Sequence, residues 1–129
     1  MLLGHGIDIV QVDRIGELVQ RHGDHFLNRV FTPGELQYCG KNPKRYVEHL
    51  AGRFAAKEAI LKALGTGWTG GIAWTDMEIL PDGAGRPMLK LIGQCAEIAT
   101  EKKIARWHIS ISHVSTHATA SAIAEGDST

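Results

Sequence analysis

The stretch from Asn42 to Gly65 constrains the fold most, because it predicts one long helix in a short chain. Asn42 can cap a helix, Pro43 suits its first position, and Gly65 is a typical terminator. Such a helix would be about 33 Å long. The chain has 129 residues, enough for one hydrophobic core and too few for two. The other elements must therefore pack against this helix.

Upstream of the long helix, the sequence predicts one strand and three helices. The segment "LGHGIDIV" is rich in branched apolar residues, which are typical of a strand. Asp13 can cap the first helix and Gly23 can end it. The segment "TPGE" predicts a capping box, in which Thr32 and Glu35 start the third helix. The predicted helices cover residues 14–22, 24–30 and 33–40.

Downstream, the pattern predicts two hairpins separated by a helix. The strands cover residues 72–81 and 88–92, then 106–113 and 117–125, with a helix over residues 93–103. In "RWHISISH" the apolar residues alternate with polar ones, which predicts a strand with one buried face. The fold class is therefore α+β, with a mainly antiparallel sheet packed against a long central helix. We expect a single domain over residues 1–125 and a polar tail over residues 126–129.

The composition of the chain limits which binding partners and which cellular compartment we expect. The formal net charge is zero, so no global field favours nucleic acid or a membrane. No apolar run approaches the roughly 20 residues of a membrane span, and the N-terminus lacks signal-peptide features, so we expect a cytoplasmic protein. Cys39 and Cys95 form no ligand or disulfide pattern and are expected to be inert thiols. The seven histidines lack zinc-ligand spacing.

The long helix carries a candidate site. Phe54, Glu58 and Lys62 are spaced by four and share one face, and the helix runs into Gly65-Thr66-Gly67, whose backbone amides could approach a phosphate. Asp8 lies in an apolar strand, where a carboxylate needs a partner or a metal. Together the two carboxylates and the lysine suit Mg²⁺ and a substrate phosphate. Two alternatives remain open: a surface Glu58–Lys62 pair, and an Asp8 turned to solvent on an edge strand.

Two further sets of cations have open roles. Lys41, Lys44, Arg45 and Arg53 lie around the start of the long helix, where cations oppose the helix dipole. Arg14 and Arg21 flank Leu18 on one face of the first helix and could dock an acidic amphipathic helix. A plain solvated surface is the alternative for each set. His113, at a strand end, is a weaker candidate with a structural alternative.

In order and length, the segments "GIDIV", "FAAKEAILKALGTG" and "HISISH" resemble holo-[acyl-carrier-protein] synthase, the small bacterial 4′-phosphopantetheinyl transferase of fatty acid biosynthesis. The combination of F-x-x-K-E-x-x-x-K with G-T-G and an N-terminal G-I-D is specific. The resemblance implies that the phosphopantetheine arm of coenzyme A is moved to a serine of apo acyl carrier protein. It further implies that Mg²⁺ is needed, that adenosine 3′,5′-bisphosphate leaves, and that the enzyme is a homotrimer with sites at subunit interfaces.

The resemblance also implies roles for individual residues. Asp8 and Glu58 match the metal carboxylates, and Lys62 matches the lysine that contacts the pyrophosphate. Arg14 and Arg21 match the cations that dock the acidic carrier protein. The remaining matches contact the nucleotide or lie beside it: Lys44, Arg45, Arg53, Gly65, Gly67 and His113. The base that accepts the serine proton is either Glu58 or a water held by the metal, while Glu35 is explained by its capping box.

The chain departs from the family at Val114 and His117, where a hydroxyl residue and an aromatic residue are usual. Two other functions fit parts of the pattern. A Mg²⁺-dependent phosphohydrolase could use the same carboxylates and lysine without a protein acceptor. A non-catalytic module could bind an acidic helix through Arg14 and Arg21, but this leaves Asp8 unexplained.

Overall fold

The order of the elements is strand, helices, two strands, helix and two strands, as the sequence predicts. A computed structural model describes residues 1–68 and 71–128. The elements are β1 Leu2–Gln11, α1 Val12–His22, α2 Asp24–Val30, α3 Pro33–Gly40, α4 Tyr46–Leu64, β2 Met77–Pro81, β3 Pro87–Leu91, α5 Gly93–Glu101, β4 Arg106–His113 and β5 His117–Glu125.

All strand pairs in the described part of the chain are antiparallel. One sheet has the order β1-β5-β4, and β2 and β3 form a separate hairpin. In the larger sheet, Asp8 pairs with Ala120 of β5, and Ile111 of β4 pairs with the same alanine. This arrangement confirms the α+β class and the antiparallel sheet.

Helix α4 is the central element, and most of its surface is buried against the two sheets and against α1 and α3. Alanines on α4 and on β5 keep the two elements close, since a methyl group adds little thickness to the interface. Gly65 ends the helix in the left-handed region at φ 76°, and its N–H donates to the carbonyl of Leu61 at 3.0 Å. The predicted end of the long helix is therefore confirmed.

The predicted start of the long helix is wrong by three residues. Pro43–Arg45 forms a separate 3₁₀ turn, and α4 begins at Tyr46. The side chain of Asn42 makes no capping hydrogen bond. Lys44 and Arg45 consequently lie before the first turn of α4, which instead holds Glu48, an acid that suits the positive end of the helix dipole.

Two other boundaries differ from the prediction for local reasons. Asp13 lies in the first turn of α1 and is not its cap, because β1 passes directly into the helix at Val12. The segment before β2 forms a 3₁₀ turn, Trp74–Asp76, so the strand begins at Met77. By contrast, the Thr32–Glu35 capping box is present at the start of α3, as predicted.

The tail is partly attached to the body of the protein. Gly126 exchanges backbone hydrogen bonds with Met1 at 2.8 and 2.9 Å, and Asp127 accepts from Arg106 at 3.0 Å. The predicted polar tail also includes Thr129, which lies outside the described residues. None of the described helices is long and apolar enough to cross a bilayer.

The two glycines of β1 set its distance from α4. Gly4 and Gly6 face the helix so closely that a β-carbon on either would collide with a backbone carbonyl, that of Ala63 or Ala59. Ile7 and Ile9 point away from the helix and are 60% and 66% exposed. The strand therefore turns its glycines and Asp8 towards α4 and its isoleucines outwards.

Because the carbonyl of Ala59 cannot move without disturbing α4, we expect Gly6→Ala to lower the free energy of unfolding by about 3 kcal/mol. Gly40→Ala is the matched control, since a β-carbon there meets nothing within 4 Å. We expect it to change stability by no more than about 1 kcal/mol. Urea unfolding followed by circular dichroism measures both, and equal effects would contradict the close packing of β1 on α4.

Candidate active site

Asp8 and Lys62 are brought together where β1 crosses α4. The Nζ of Lys62 donates to the carbonyl oxygen of Ile7 at 2.9 Å and lies 3.3 Å from Oδ1 of Asp8. The backbone of Asp8 is held from the other side, because Thr119 donates to its carbonyl at 2.8 Å. The partner of Lys62 in the described structure is thus Asp8, so the alternative of a surface Glu58–Lys62 pair is wrong.

The second alternative, an Asp8 turned to solvent, is also wrong. Strand β1 does lie at the edge of its sheet, but Asp8 is on the side that faces α4. Its side chain is 20% exposed, whereas that of Lys62 is 54% exposed. The lysine therefore lies at the mouth of the cluster and the aspartate lies deeper.

Glu58 lies one turn before Lys62 on α4, and its carboxyl group interacts electrostatically with Asp8 and with Lys62. Burial raises the pKa of Glu58 above its ordinary value, and the neighbouring carboxylate of Asp8 raises it further. The charges of Lys62 and Arg14 oppose this rise. Two carboxylates that repel each other in a half-buried place are suited to share a cation or a proton.

A cleft of about 200 Å³, which we call the Lys62 cleft, opens beside these charged residues. It is lined by Glu58, Lys62, Gly65, Gly67 and Trp68, among others. Gly65 and Gly67 both have positive φ, 76° and 60°, a conformation that favours glycine and exposes the backbone. The loop at the end of α4 is therefore open to an anionic group that also contacts Lys62.

An aromatic cluster continues the same face of α4. Phe54 stacks on Trp74 with ring centroids 4.9 Å apart, and Trp74 contacts Trp68 at 4.2 Å. A larger cleft of about 540 Å³ lies against these tryptophans and adjoins the first cleft at Trp68. On the face predicted from Phe54, Glu58 and Lys62, the phenylalanine is thus covered by Trp74, while the two charged residues line an open cleft.

A third cleft, the basic cleft, lies towards the other end of α4. Its volume is about 170 Å³, and its walls include Tyr38, His49, Arg53 and His113. Arg53 is only 8% exposed, with its guanidinium carbon 4.7 Å from the centre of the Tyr38 ring. The described residues that line this cleft are all different from those of the Lys62 cleft.

The side chain of His113 is held in this basic cleft by Glu48, whose carboxylate contacts its Nδ1. Arg45 lies 3.9 Å from the same carboxylate, and Lys44 beside it is exposed. Val114, the first departure from the family pattern, is 61% exposed, and its N–H donates to the carbonyl of His117 at 2.9 Å. Val114 therefore lies in the turn between β4 and β5, and His117 is the first residue of β5.

The structure divides the predicted site residues into separate groups. Asp8, Glu58, Lys62, Gly65 and Gly67 meet at the C-terminal half of α4. Arg53 and His113 line the basic cleft, with Lys44 and Arg45 nearby. Arg14 and Arg21 are exposed on α1, and of the two only Arg14 acts on the pKa of Glu58.

The donor set fits a hard divalent cation. Asp8 and Glu58 supply carboxylate oxygens on adjacent elements, and their mutual repulsion would be relieved by a cation between them. Within residues 1–68 and 71–128, His, Cys, Asp and Glu form no cluster of three. A metal here would thus take its remaining ligands from water and substrate, as Mg²⁺ often does.

Sequence reasoning missed the role of Lys57, a fully buried cation next to Glu58. Its Nζ donates to Oε1 of Glu35 at 2.7 Å, to the carbonyl of Val30 at 2.7 Å and to that of Trp74 at 3.2 Å. Burial lowers the pKa of Lys57, and Glu35 opposes that shift. The signal was present, since Lys57 interrupts an alanine-rich helix face.

Glu35 has more functions than its capping box. Its Oε1 accepts from the N–H of Thr32 at 3.0 Å, and its Oε2 accepts from the N–H of Ile79 at 2.9 Å. Together, Lys57 and Glu35 join α4 to α3, to β2 and to the segment before β2. The two cysteines are buried, and burial raises the pKa of each thiol to about 11, as expected for inert side chains.

Comparison of the sequence with models of known families identifies the class of protein. The sequence model of the 4′-phosphopantetheinyl transferase superfamily matches residues 4–123. That class consists of group-transferring enzymes, which agrees with a site built from two carboxylates, a lysine and a glycine-rich loop.

Individual relatives narrow the assignment. A Koribacter versatilis protein named holo-[acyl-carrier-protein] synthase is 47% identical over 125 residues, covering 97% of this chain and 99% of that protein. A protein of the same name from Protochlamydia amoebophila is 47% identical over 123 residues, covering 95% and 98%. The chain therefore belongs to the holo-[acyl-carrier-protein] synthases of this superfamily.

Solved structures agree with the fold. The Neisseria meningitidis holo-[acyl-carrier-protein] synthase has a TM-score of 0.86 at 36% identity, covering 97% of this chain and 99% of that one. The Helicobacter pylori enzyme in complex with coenzyme A has a TM-score of 0.82 at 31% identity, covering 94% and 99%. The family resemblance and the fold predicted from the sequence are confirmed.

We expect Lys57→Met to lower the free energy of unfolding by about 3–5 kcal/mol, because it leaves the buried carboxylate of Glu35 without its cation. In the double variant Lys57→Met/Glu35→Gln neither member of the pair is charged, and the amide oxygen can still accept from one of the two backbone N–H groups that Glu35 binds. Its loss of stability is expected to be smaller than the sum of the two single losses. Urea unfolding of the four proteins measures this coupling, and strictly additive losses would show that the pair does not act as a unit.

Proposed function

We propose that this enzyme transfers the 4′-phosphopantetheine group of coenzyme A to a serine hydroxyl of apo acyl carrier protein. Adenosine 3′,5′-bisphosphate is the second product, and Mg²⁺ is required. The observation that carries the proposal is the meeting of Asp8, Glu58 and Lys62 beside the Gly65–Gly67 loop. The names of the relatives and their complexes with coenzyme A support it.

In the reaction, the serine oxygen forms a bond to the phosphorus that carries pantetheine. The bond from that phosphorus to the bridging oxygen of the pyrophosphate breaks, and the electron pair leaves with adenosine 3′,5′-bisphosphate. Such a transfer depends on positioning and on neutralisation of negative charge. Mg²⁺, held by Asp8 and Glu58, would supply part of that neutralisation.

The residues of the chain have distinct roles in this scheme. Lys62 places its ammonium group at the mouth of the cleft, where it can contact the pyrophosphate oxygens. Gly65 and Gly67 let the substrate approach the backbone. The proposed base for the serine proton is Glu58 or a water held by the metal.

The basic cleft is the proposed place for the nucleotide. Arg53 and His113 line it, and Lys44 and Arg45 lie just outside it. The positive charges of Arg53, Lys44 and Arg45 match the phosphorylated adenosine end of coenzyme A. The Tyr38 ring, already stacked on Arg53, supplies an aromatic wall.

We propose that the active enzyme is a homotrimer with a site at each interface. The outward face of the larger sheet exposes Ile7 and Ile9 next to Ser121 and Thr119 of β5, a mixture of large apolar and small residues that suits a second copy of the chain. The two clefts of α4 are distinct within one chain. A neighbouring subunit that brings its basic cleft to the Lys62 cleft would complete the site.

Intact-protein mass spectrometry of apo acyl carrier protein, incubated with the enzyme, coenzyme A and Mg²⁺, tests the reaction. We expect a gain of one phosphopantetheine group that is lost with chelator and restored by added Mg²⁺. Glu58→Ala is expected to abolish the gain with an unchanged circular dichroism spectrum, whereas the exposed control Glu97→Ala, on α5, keeps it. Phosphate release from coenzyme A without any gain in mass would instead favour a phosphohydrolase.

Arg14 and Arg21 are the proposed contacts for the acidic carrier protein. We expect Arg21→Glu to raise KM for the carrier protein about tenfold, equivalent to about 1.4 kcal/mol, because it reverses one charge of the docking surface. Its kcat should be unchanged. Arg14→Glu should change kcat as well, because Arg14 acts on the pKa of Glu58.

Steady-state kinetics with varied carrier protein separates the two effects. Lys102→Glu, which reverses a charge at the exposed end of α5, is the control. An unchanged KM in Arg21→Glu would remove Arg21 from the docking surface.

A further inference from the structure

His5 lies on the outward face of the larger sheet, in the row of β1 residues that also contains Ile7 and Ile9. It is exposed, as the two isoleucines are, and it pairs across the sheet with Ile123 of β5. Asp8 is turned to the opposite side, towards α4. The nearest neighbours of His5 along its own strand and across from it are therefore apolar on this face.

The charged groups at the same end of the sheet are already paired with one another. Glu125 of β5 accepts from Arg106 at 2.9 Å and pairs with Nε2 of His108 at 3.0 Å, and Arg106 also donates to Asp127 at 3.0 Å. Hydrogen bonds from His108 and from Arg106 lower the pKa of Glu125 to about 2, so this carboxylate stays ionised. Both partners of Glu125 belong to β4, and its carboxylate is thus turned away from β1.

His5 has no comparable partner. His108 lies on the other side of Ile123 in the same row of the sheet. The N-terminal ammonium group of Met1 donates to the carbonyl of Gly126 at 2.9 Å. In the part of the chain that the structure describes, no carboxylate pairs with His5. A positive charge on His5 would therefore have no counter-ion within its own chain.

In the proposed trimer, a neighbouring copy covers His5 together with Ile7 and Ile9. An uncharged imidazole can stay in such a contact, but a protonated imidazole that is covered without a carboxylate is costly. We propose that His5 makes the trimer sensitive to pH, since the copies associate with His5 uncharged and separate when it is protonated. This inference rests on the proposed trimer, and it adds a control on the sites that form between chains.

Association of the copies should weaken as the pH falls. A separated chain exposes His5 to water, which favours the charged form, so dissociation takes up protons. A trimer contains three copies of His5. Its association constant is expected to fall by up to about a thousandfold for each pH unit, over the range in which histidine changes its charge.

Sedimentation velocity tests this at about pH 8 and about pH 5.5, on either side of the range in which histidine titrates. We expect the wild type to be a trimer at the higher pH and to dissociate at the lower pH. His5→Gln cannot be protonated and should stay a trimer at both. His108→Gln is the matched control, because it removes a histidine of the same row that has its own carboxylate, and it should dissociate as the wild type does.

A further variant supplies the charge at every pH. His5→Lys should be dissociated at both pH values, with a circular dichroism spectrum like that of the wild type. Activity is not used as the readout, because other histidines line the basic cleft.

A wild type that stays a trimer at the lower pH would overturn the role of His5, and so would His5→Gln that dissociates as the wild type does. Either result leaves the proposed trimer and the proposed reaction standing. A wild type that is not a trimer at the higher pH would refute the trimer, and the inference with it. The transfer reaction is measured separately, by the mass of the carrier protein.

Discussion

The close contact between the backbone of β1 and the backbone of α4 is the constraint on which the rest of the structure depends. Two glycines of β1 face carbonyl oxygens of the helix with no room for a side chain. This contact fixes the register of the strand against the helix. Asp8 is then placed two residues beyond Gly6 on the same face, within reach of Lys62.

The buried pair of Lys57 and Glu35 holds the other side of the helix. Lys57 faces the interior while its neighbour Glu58 faces the cleft, so adjacent residues of α4 serve different purposes. The same helix also carries Arg53 nearer its start, where its guanidinium donates to the carbonyl of Ile79 at 3.4 Å. One helix thus connects the cluster of Asp8, Glu58 and Lys62 with the hydrophobic core and the basic cleft.

The length of α4 has a consequence for how the substrate is held. From Arg53 to Lys62 the helix rises by about 14 Å, so the cations of the two clefts are separated along it. Coenzyme A carries anionic groups at two places, and the chain offers cations at two places. In the proposed trimer, a neighbouring copy would cover the exposed isoleucines of β1, and clefts from two chains could then meet.

Much of the fold was predictable from local signals. The capping box of Thr32 and Glu35, the terminator Gly65 and the alternation in β4 each depend on a few neighbouring residues, and each was placed correctly. The start of α4 was not, because an Asn-Pro pair can begin either an α-helix or a 3₁₀ turn. Local sequence does not distinguish these two.

The sequence predicts Asp8, Glu58 and Lys62 as members of one site, but it does not predict how they are arranged. Helical spacing placed Glu58 and Lys62 on one face, and the apolar strand identified Asp8 as a residue in need of a partner. The partner itself, Lys62, follows from the packing of β1 on α4, which no local pattern contains. The sequence predicts an apolar strand around the glycines of β1, but it does not show that these glycines form the face that contacts α4. Lys57 was overlooked because its acceptors come from three distant segments.

The most direct test of this account is complementation between two inactive chains. The first variant, Glu58→Ala, lacks one carboxylate of the Asp8, Glu58 and Lys62 cluster. The second, Lys44→Glu/Arg45→Glu, has reversed charges beside the basic cleft. If sites form between chains of a trimer, co-expressed variants should regain activity, since about a quarter of interfaces in random trimers combine two intact halves. Mass spectrometry of the acyl carrier protein product would measure it. Mixed trimers that form but stay as inactive as either variant alone would show that the site lies within one chain.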